Sequence, residues 1–226
     1  MIDILYEDSH LLVCVKPIGI LSQPDTGDGT DMITLLSDYL KSKKEKPYIG
    51  LVHRLDRNVG GVMVFSKNPN VTGKLSAAIM ERNFTKEYLA AVHNCPEEES
   101  GIYQDLLFKD SSKNKSFVVK RPRKGVKEAS LEYSVIDRKN TNKGVRALVR
   151  IKLHTGRTHQ IRVQFSSRKM PLLGDGKYGS TDNGCEIALW SYRLAFTHPI
   201  HKKVLDISKE PPSFYPWSDF DKDIMK

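Results

Sequence analysis

The sequence predicts an α+β protein organised as one domain. Three observations carry this. At least seven runs read as strands, among them the apolar stretches 11–15 and 61–65. Two amphipathic stretches and a shorter third read as helices set between strands. No internal repeat, low-complexity block or linker divides the 226 residues, a length for one sizeable domain or two small ones.

The elements follow in order. Residues 2–6 and 11–15 read as two short strands joined by a polar turn at 7–10. Lys16-Pro17-Ile18-Gly19 breaks the pattern, since proline fixes φ and glycine permits unusual dihedrals, so it reads as a tight turn. Residues 23–31 are rich in Gly, Pro and Asp and read as a loop. Thr30 or Asp31 caps a helix to about residue 42, with Ile33, Leu36 and Leu40 on one face. Its tail, 41–46, is a charge run that reads as a solvated helix end, with phosphate contact as the alternative. Pro69 starts a second helix to about residue 82, with Val71, Leu75, Ala78 and Ile79 inward. Residues 85–92 read as a strand.

Residues 94–127 read as loop-rich, with a strand at 101–108. Within them, residues 113–127 hold seven lysines and arginines and no acid around a short strand at 117–119. This segment is either a solvated hairpin or a phosphate-contacting one. Residues 128–136 and 144–154 form a hairpin about the turn 140–144. Thr158 caps a short helix that Ile161 and Phe165 anchor, with His159 and Arg162 on a different face. Residues 186–196 and 203–207 read as strands about a turn at His198-Pro199. The chain after Trp217 reads as a fraying tail.

Composition narrows the function classes. Lysine and arginine number 36 against 27 acids, a formal charge of +9, which points to a polyanionic partner, nucleic acid ahead of membrane. Cys14, Cys95 and Cys185 are too few and too scattered for a disulfide framework or a zinc site. They read as free thiols in a reducing cytoplasm. The N-terminus lacks a basic leader, and no apolar run approaches the roughly 20 residues that span a bilayer. The expectation is a cytoplasmic monomer with no membrane association.

The stretch with most chemistry is His53-Arg54-Leu55-Asp56-Arg57-Asn58-Val59-Gly60-Gly61. Four ionisable side chains fall within five residues, His53 to Arg57. Neighbouring guanidinium groups favour the ionised form of Asp56. Such a cluster is either a solvated turn or a catalytic loop holding an anion at a fixed point.

His53-Arg54-Leu55-Asp56 followed by Gly61 and a strand resembles the signature of the RluA family of RNA pseudouridine synthases. Leu11 to Gly19 resembles that family's opening strand and KPxG turn. Lys86-x-Tyr88-x-Ala90-x-Val92 resembles its second motif, and Leu153 to Gln164 its third. Residues 172–179 match the segment that follows, two glycine-bearing turns around a loop acid, Asp175. The resemblance implies one catalytic domain on a long, bent, mostly antiparallel mixed sheet crossed by an RNA cleft. It implies isomerisation of uridine to pseudouridine in structured RNA, rRNA or tRNA, with no cofactor and no metal.

The resemblance also assigns residues. Asp56 is the catalytic carboxylate, Tyr88 lies against the base, and Arg162 is the ion partner of Asp56. The RNA-contacting set is His53, Arg54 and Arg57, then Arg157, His159 and Gln160, then Lys120, Arg121, Arg123 and Lys124. Two departures flank the motifs: Asn58-Val59-Gly60 lacks the usual hydroxyl residue, and Gln164-Phe165 replaces the usual x-His ending. With the first strand so early, the expectation is a chain without the S4-type RNA-binding domain that many members carry. The alternatives are a non-catalytic RNA-binding protein of the same descent and a metal-dependent nuclease using Asp56 and Asp175.

Overall fold

The structure is a computed structural model. It describes residues 2–27, 29–182, 184–221 and 223. In chain order the elements are β1 (Ile4–Glu7), β2 (Leu11–Lys16), α1 (Met32–Ser42), β3 (Gly50–Leu51), β4 (Gly60–Ser66), α2 (Pro69–Met80) and β5 (Phe84–His93). Then come β6 (Ser100–Asp110), β7 (Lys115–Val119), β8 (Val126–Thr141), β9 (Gly144–Leu153), α3 (Gln160–Ser166), β10 (Leu189–Thr197) and β11 (Val204–Ser208). The chain divides into two compact units, the first up to Lys86 plus Ser191–Lys209, the second Glu87–Trp190 plus the chain from Glu210.

In the first unit the strands run β1-β2-β4-β10, with β3 beside β4 and β11 beside β10. β2 and β4 pair antiparallel, Val13 opposite Val64 and Lys16 opposite Gly61. Because side chains alternate across a strand, Leu11, Val13, Val62 and Val64 share one face. That face packs with Val71 and Leu75 of α2 and with Leu194 and Phe196 of β10. Each fully buried residue of this kind contributes about 1.5–3 kcal/mol. Asn68 caps α2 by accepting from Val71 N–H at 3.0 Å, and Pro69 occupies the first turn. Asp31 caps α1 by accepting from Thr34 N–H at 3.0 Å. The inward face of α1 is Met32, Leu36 and Leu40, with Met32 in the place expected for Ile33.

In the second unit the strand order is β5-β9-β8-β6-β7. Every register described there is antiparallel, with Tyr88 opposite Ile151 and Ile151 opposite Tyr133. Residues 94–127 are more ordered than the sequence implied. β6 and β7 form a hairpin, Phe108 opposite Phe117, and β6 also pairs with β8 along nine residues, 100–108. β6 alternates between exposed and half-buried positions from Ser100 to Asp105, and Leu107 alone in it is buried, so its apolar signal is weak. α3 begins at Gln160, with His159 and not Thr158 in the cap position. The residue before it, His159, has φ +53° and makes no side-chain cap. Every side chain from Gln160 to Phe165 is buried, so no basic face of this helix meets solvent. The tail holds order through Phe220, because Trp217 and Phe220 are buried. Asp28 of the 23–31 loop, and Lys222 and 224–226 of the tail, lie outside the described residues. No helix among the described residues is long and apolar enough to cross a membrane.

Candidate active site

Asp56 lies half-buried in the loop between β3 and β4. The backbone on either side of it is tied down. Before it, Leu55 N–H donates to Ser22 Oγ at 3.0 Å, and Ser22 Oγ donates back to the Leu55 carbonyl at 2.8 Å. After it, the Arg57 carbonyl accepts from Gly19 N–H at 2.9 Å and from Lys16 Nζ at 3.0 Å. Lys16 is fully buried at the end of β2. Its ammonium also donates to the carbonyls of Pro17 at 2.9 Å and Ile20 at 2.6 Å. Three protons thus meet three backbone acceptors, which makes burial of the charge tolerable. Burial still pushes Lys16 down to about 8, opposed by the negative charge of Asp56.

The glycine retained after this loop has a steric cause. Gly61 has φ +119°, and a Cβ there would lie 2.3 Å from the Ser191 carbonyl. Only glycine allows that approach without displacing backbone. Val59, where a hydroxyl residue was expected, is buried and closes the turn by donating its N–H to the Asp56 carbonyl at 3.0 Å.

The residues around Asp56 divide by exposure. Arg54 and Arg57 face solvent. His53 does not act as a surface cation, which corrects its expected role. Its Nε2 accepts the Val64 N–H at 3.1 Å, its Nδ1 is buried with no hydrogen-bond partner, and burial, helped by the Lys86 charge, pushes it down to about 3. It is a neutral acceptor that orders β4.

In the second unit, Tyr88 is buried on β5. Arg162, on α3, is buried too and forms a two-pronged ion pair with Asp175. Nε donates to Oδ2 at 2.7 Å and Nη2 to Oδ1 at 2.9 Å. The guanidinium also lies over the Tyr178 ring, 5.0 Å from its centroid. Both oxygens of Asp175 are engaged by this guanidinium. Gln160, expected to contact RNA, is an interior brace: its Oε1 accepts from Arg157 N–H and Thr155 Oγ, and its Nε2 donates to the Ser130 carbonyl. His159 is half-buried with Nδ1 3.0 Å from the Tyr178 hydroxyl. Arg157 is exposed, its Nε bound to the Glu128 carbonyl at 2.8 Å. Lys120, Arg121, Arg123 and Lys124 are all exposed, between β7 and β8.

Sequence reasoning gave no role to Lys16 or Ser22. The KPxG turn flagged the position of Lys16, and nothing in the sequence marked its acceptors, which are backbone carbonyls. One group among the described residues has the composition of a metal site: Asp8, His198 and His201, with ligand atoms within 4.8 Å of one another. His198 Nδ1 accepts from the N–H groups of Ile200 and His201, which puts its proton on Nε2, 3.0 Å from Asp8 Oδ2. Asp8 also accepts from His10 N–H, Leu11 N–H and the Tyr6 hydroxyl. Hydrogen bonding accounts for the group as a brace between two turns.

Comparison with known proteins places this architecture. The family description "RNA pseudouridylate synthase" matches residues 10–167, which contain Asp56, Tyr88 and Arg162. The chain belongs to this family. An uncharacterized RNA pseudouridine synthase of Aquifex aeolicus is 34% identical over 96% of this chain and 72% of its own length. The ribosomal large subunit pseudouridine synthase D of Borreliella burgdorferi is also 34% identical, over 85% of this chain and 60% of its own length. The chain therefore spans roughly two thirds of the length of these relatives. Among solved structures, human RNA pseudouridylate synthase domain containing 4 superposes with a TM-score of 0.77 at 24% identity, covering 96% of this chain and 91% of that one. Human RNA pseudouridylate synthase domain containing 1 gives 0.74 at 22% identity, covering 96% and 85%. These two share the fold. Named relatives in the pseudouridylate synthase family are isomerases, and several are named for the ribosomal large subunit.

Proposed function

We propose that this chain isomerises specific uridines to pseudouridine in structured RNA, with ribosomal RNA as the substrate class. The observation that carries the reading is Asp56 itself: a family-matched carboxylate on a loop pinned on both flanks, between arginines that face solvent. The reaction breaks the N1–C1′ bond of uridine, turns the uracil and forms a C5–C1′ bond. The C5 proton leaves and N1 gains one, so nothing is gained or lost overall.

Asp56 starts this chemistry, as a nucleophile at C1′ or as the base that removes a ribose proton. Tyr88 packs against the base and assists the proton transfer from C5. Arg162 is the charge-assisted partner that aims the carboxylate. The target uridine must leave its stack, at a cost of a few kcal/mol. Exposed Arg54, Arg57, Arg157, Lys120, Arg121, Arg123 and Lys124 offset that cost by gripping phosphates, with half-buried His159 two residues on from Arg157.

The test is to map pseudouridine across all RNA of the source cell with the gene present, deleted and restored. Sites that vanish on deletion and return with the wild-type gene support the reading. No lost site, together with full RNA binding by the purified protein, would leave a binding protein rather than an enzyme.

A further inference from the structure

Arg162 is seated by an acid that lies beyond the family-matched stretch, which ends at residue 167. Both side chains are nearly inaccessible, 6% for Arg162 and 1% for Asp175. Removing two charges from water is expensive, and an apolar pair of similar volume is often at least as stable. A buried pair with this geometry therefore calls for a role beyond stability.

The geometry points to Asp175 as the positioning residue of Arg162. A guanidinium is a planar fork. Asp175 holds its Nε–Nη2 edge at 2.7 and 2.9 Å, and the Tyr178 ring covers a face. With one edge and one face fixed, the direction of Nη1 is fixed as well. A lysine ammonium, a point charge on a flexible stem, would not be oriented this way.

Asp175 is itself rigid. Its carbonyl accepts from Tyr178 N–H and Ser180 N–H, both at 3.0 Å, and its N–H donates to the Leu172 carbonyl at 3.1 Å. Gly174 before it has φ +75°, and a Cβ there would lie 2.3 Å from the Glu186 carbonyl. The segment is fastened to β5, the strand of Tyr88: Leu173 N–H donates to the Ala91 carbonyl at 2.9 Å, and Leu172 bridges Val92. Residues 172–180 thus form a bracket that ties the aim of Arg162 to the strand carrying Tyr88.

This inference rests on the reading that Arg162 serves the isomerisation, and the test separates the two. Wild type and Asp175→Asn are compared on total RNA from cells lacking the gene, with pseudouridine read by mass spectrometry. Misplacing a group by about 1 Å can lower turnover roughly 10- to 100-fold, and that fall in kcat is expected, with the half-saturating RNA concentration changed by less than about twofold. In an Arg162→Ala background the same substitution should produce no further fall. Asp175→Glu keeps the charge on a longer arm, so positioning predicts a folded protein with lowered kcat. In NMR spectra the Arg162 Nε–H should exchange slowly in wild type and rapidly in Asp175→Asn.

Wild-type kcat in either Asp175 variant, a loss confined to RNA affinity, a loss fully additive with Arg162→Ala, or a slow Nε–H in Asp175→Asn overturns the inference. Absence of pseudouridine with wild-type protein overturns the functional reading instead. The exchange of Nε–H then decides by itself whether Asp175 holds Arg162.

Discussion

Asp56 and Arg162 are both held in place, by opposite means. The Asp56 loop is fixed through its backbone, by Ser22 on Leu55 and by Lys16 and Gly19 on Arg57. Arg162 is fixed through its side chain, by Asp175 and Tyr178, on a helix whose every described side chain from Gln160 to Phe165 is buried. The difference explains where solvent-facing charge can reside. A loop pinned by carbonyls and a hydroxyl can bury Leu55 and Val59 and still leave its two arginines outward, so Arg54 and Arg57 are exposed. A helix that aims a side chain inward needs its neighbours as packing, so Gln160 is interior.

The largest effect expected from this comparison is at Asp56. Because its loop is anchored by main-chain groups, Asp56→Asn should leave the fold intact and lower pseudouridine formation by at least about 1,000-fold, as loss of a nucleophile or general base does. Thermal melting checks the first half and the mass-spectrometric assay the second. Activity near wild type would remove Asp56 from the chemistry.

Next in size is the backbone clamp. Lys16→Met relieves a buried charge but leaves the carbonyls of Pro17 and Ile20 without their donor and Arg57 with Gly19 alone. Pro17 and Arg57 are exposed and Ile20 is half-buried, so water takes over part of the lost bonding. Three hydrogen bonds lost at about 0.5–1.5 kcal/mol each, partly offset by the relieved charge, give an expected net loss of about 2 kcal/mol in urea denaturation. Turnover should fall with it, since the far side of the loop is then held by Gly19 N–H alone. Unchanged stability would mean that the loop does not depend on Lys16.

These two halves also differ in how far they could be read beforehand. Strands with apolar alternation, such as β2 and β4, and caps such as Asp31 were legible, because hydrophobic period and capping are local. β6 and β7 were legible as strands at 101–108 and 117–119, but their full length was blurred by charge, since a sheet with exposed positions carries polar residues there. α3 was misjudged for a related reason. In sequence Arg162 is only a charge, and its burial depends on an acid thirteen residues on, brought back by the turn at Gly174. Lys16 was unreadable in another way, because its partners are backbone carbonyls that no residue type announces.

The exposed charges sharpen the contrast at about one tenfold step. Replacing Lys120, Arg121, Arg123 and Lys124 together with Ala should weaken RNA binding by about 10-fold near physiological salt and leave kcat unchanged. It should also make the salt dependence shallower, by roughly 0.7 in log–log slope for each phosphate of single-stranded RNA that is no longer neutralised. Filter binding across a salt series reads both. An unchanged slope would show that these side chains touch no phosphate.

The smallest effect concerns His53, a half-buried group of the Asp56 motif whose Nδ1 is closed off from solvent. Its pKa is about 3 in the folded chain, against about 6.5 for an unperturbed histidine. Between these values the unfolded chain binds a proton that the folded chain refuses. Stability linked to His53 is therefore complete above pH 6.5 and is lost progressively as pH falls toward 3. One pKa unit corresponds to about 1.4 kcal/mol, and partial exposure of the ring reduces the effect at pH 5 to about 1 kcal/mol. His53→Gln keeps an acceptor for Val64 N–H and removes the titration. The stability of wild type minus that of His53→Gln should thus decline by about 1 kcal/mol from pH 7 to pH 5, with other acid effects cancelling in the difference. A difference that stays flat would mean that His53 is protonated in the fold, free to meet a phosphate, and that this end of the Asp56 motif belongs with the exposed arginines after all.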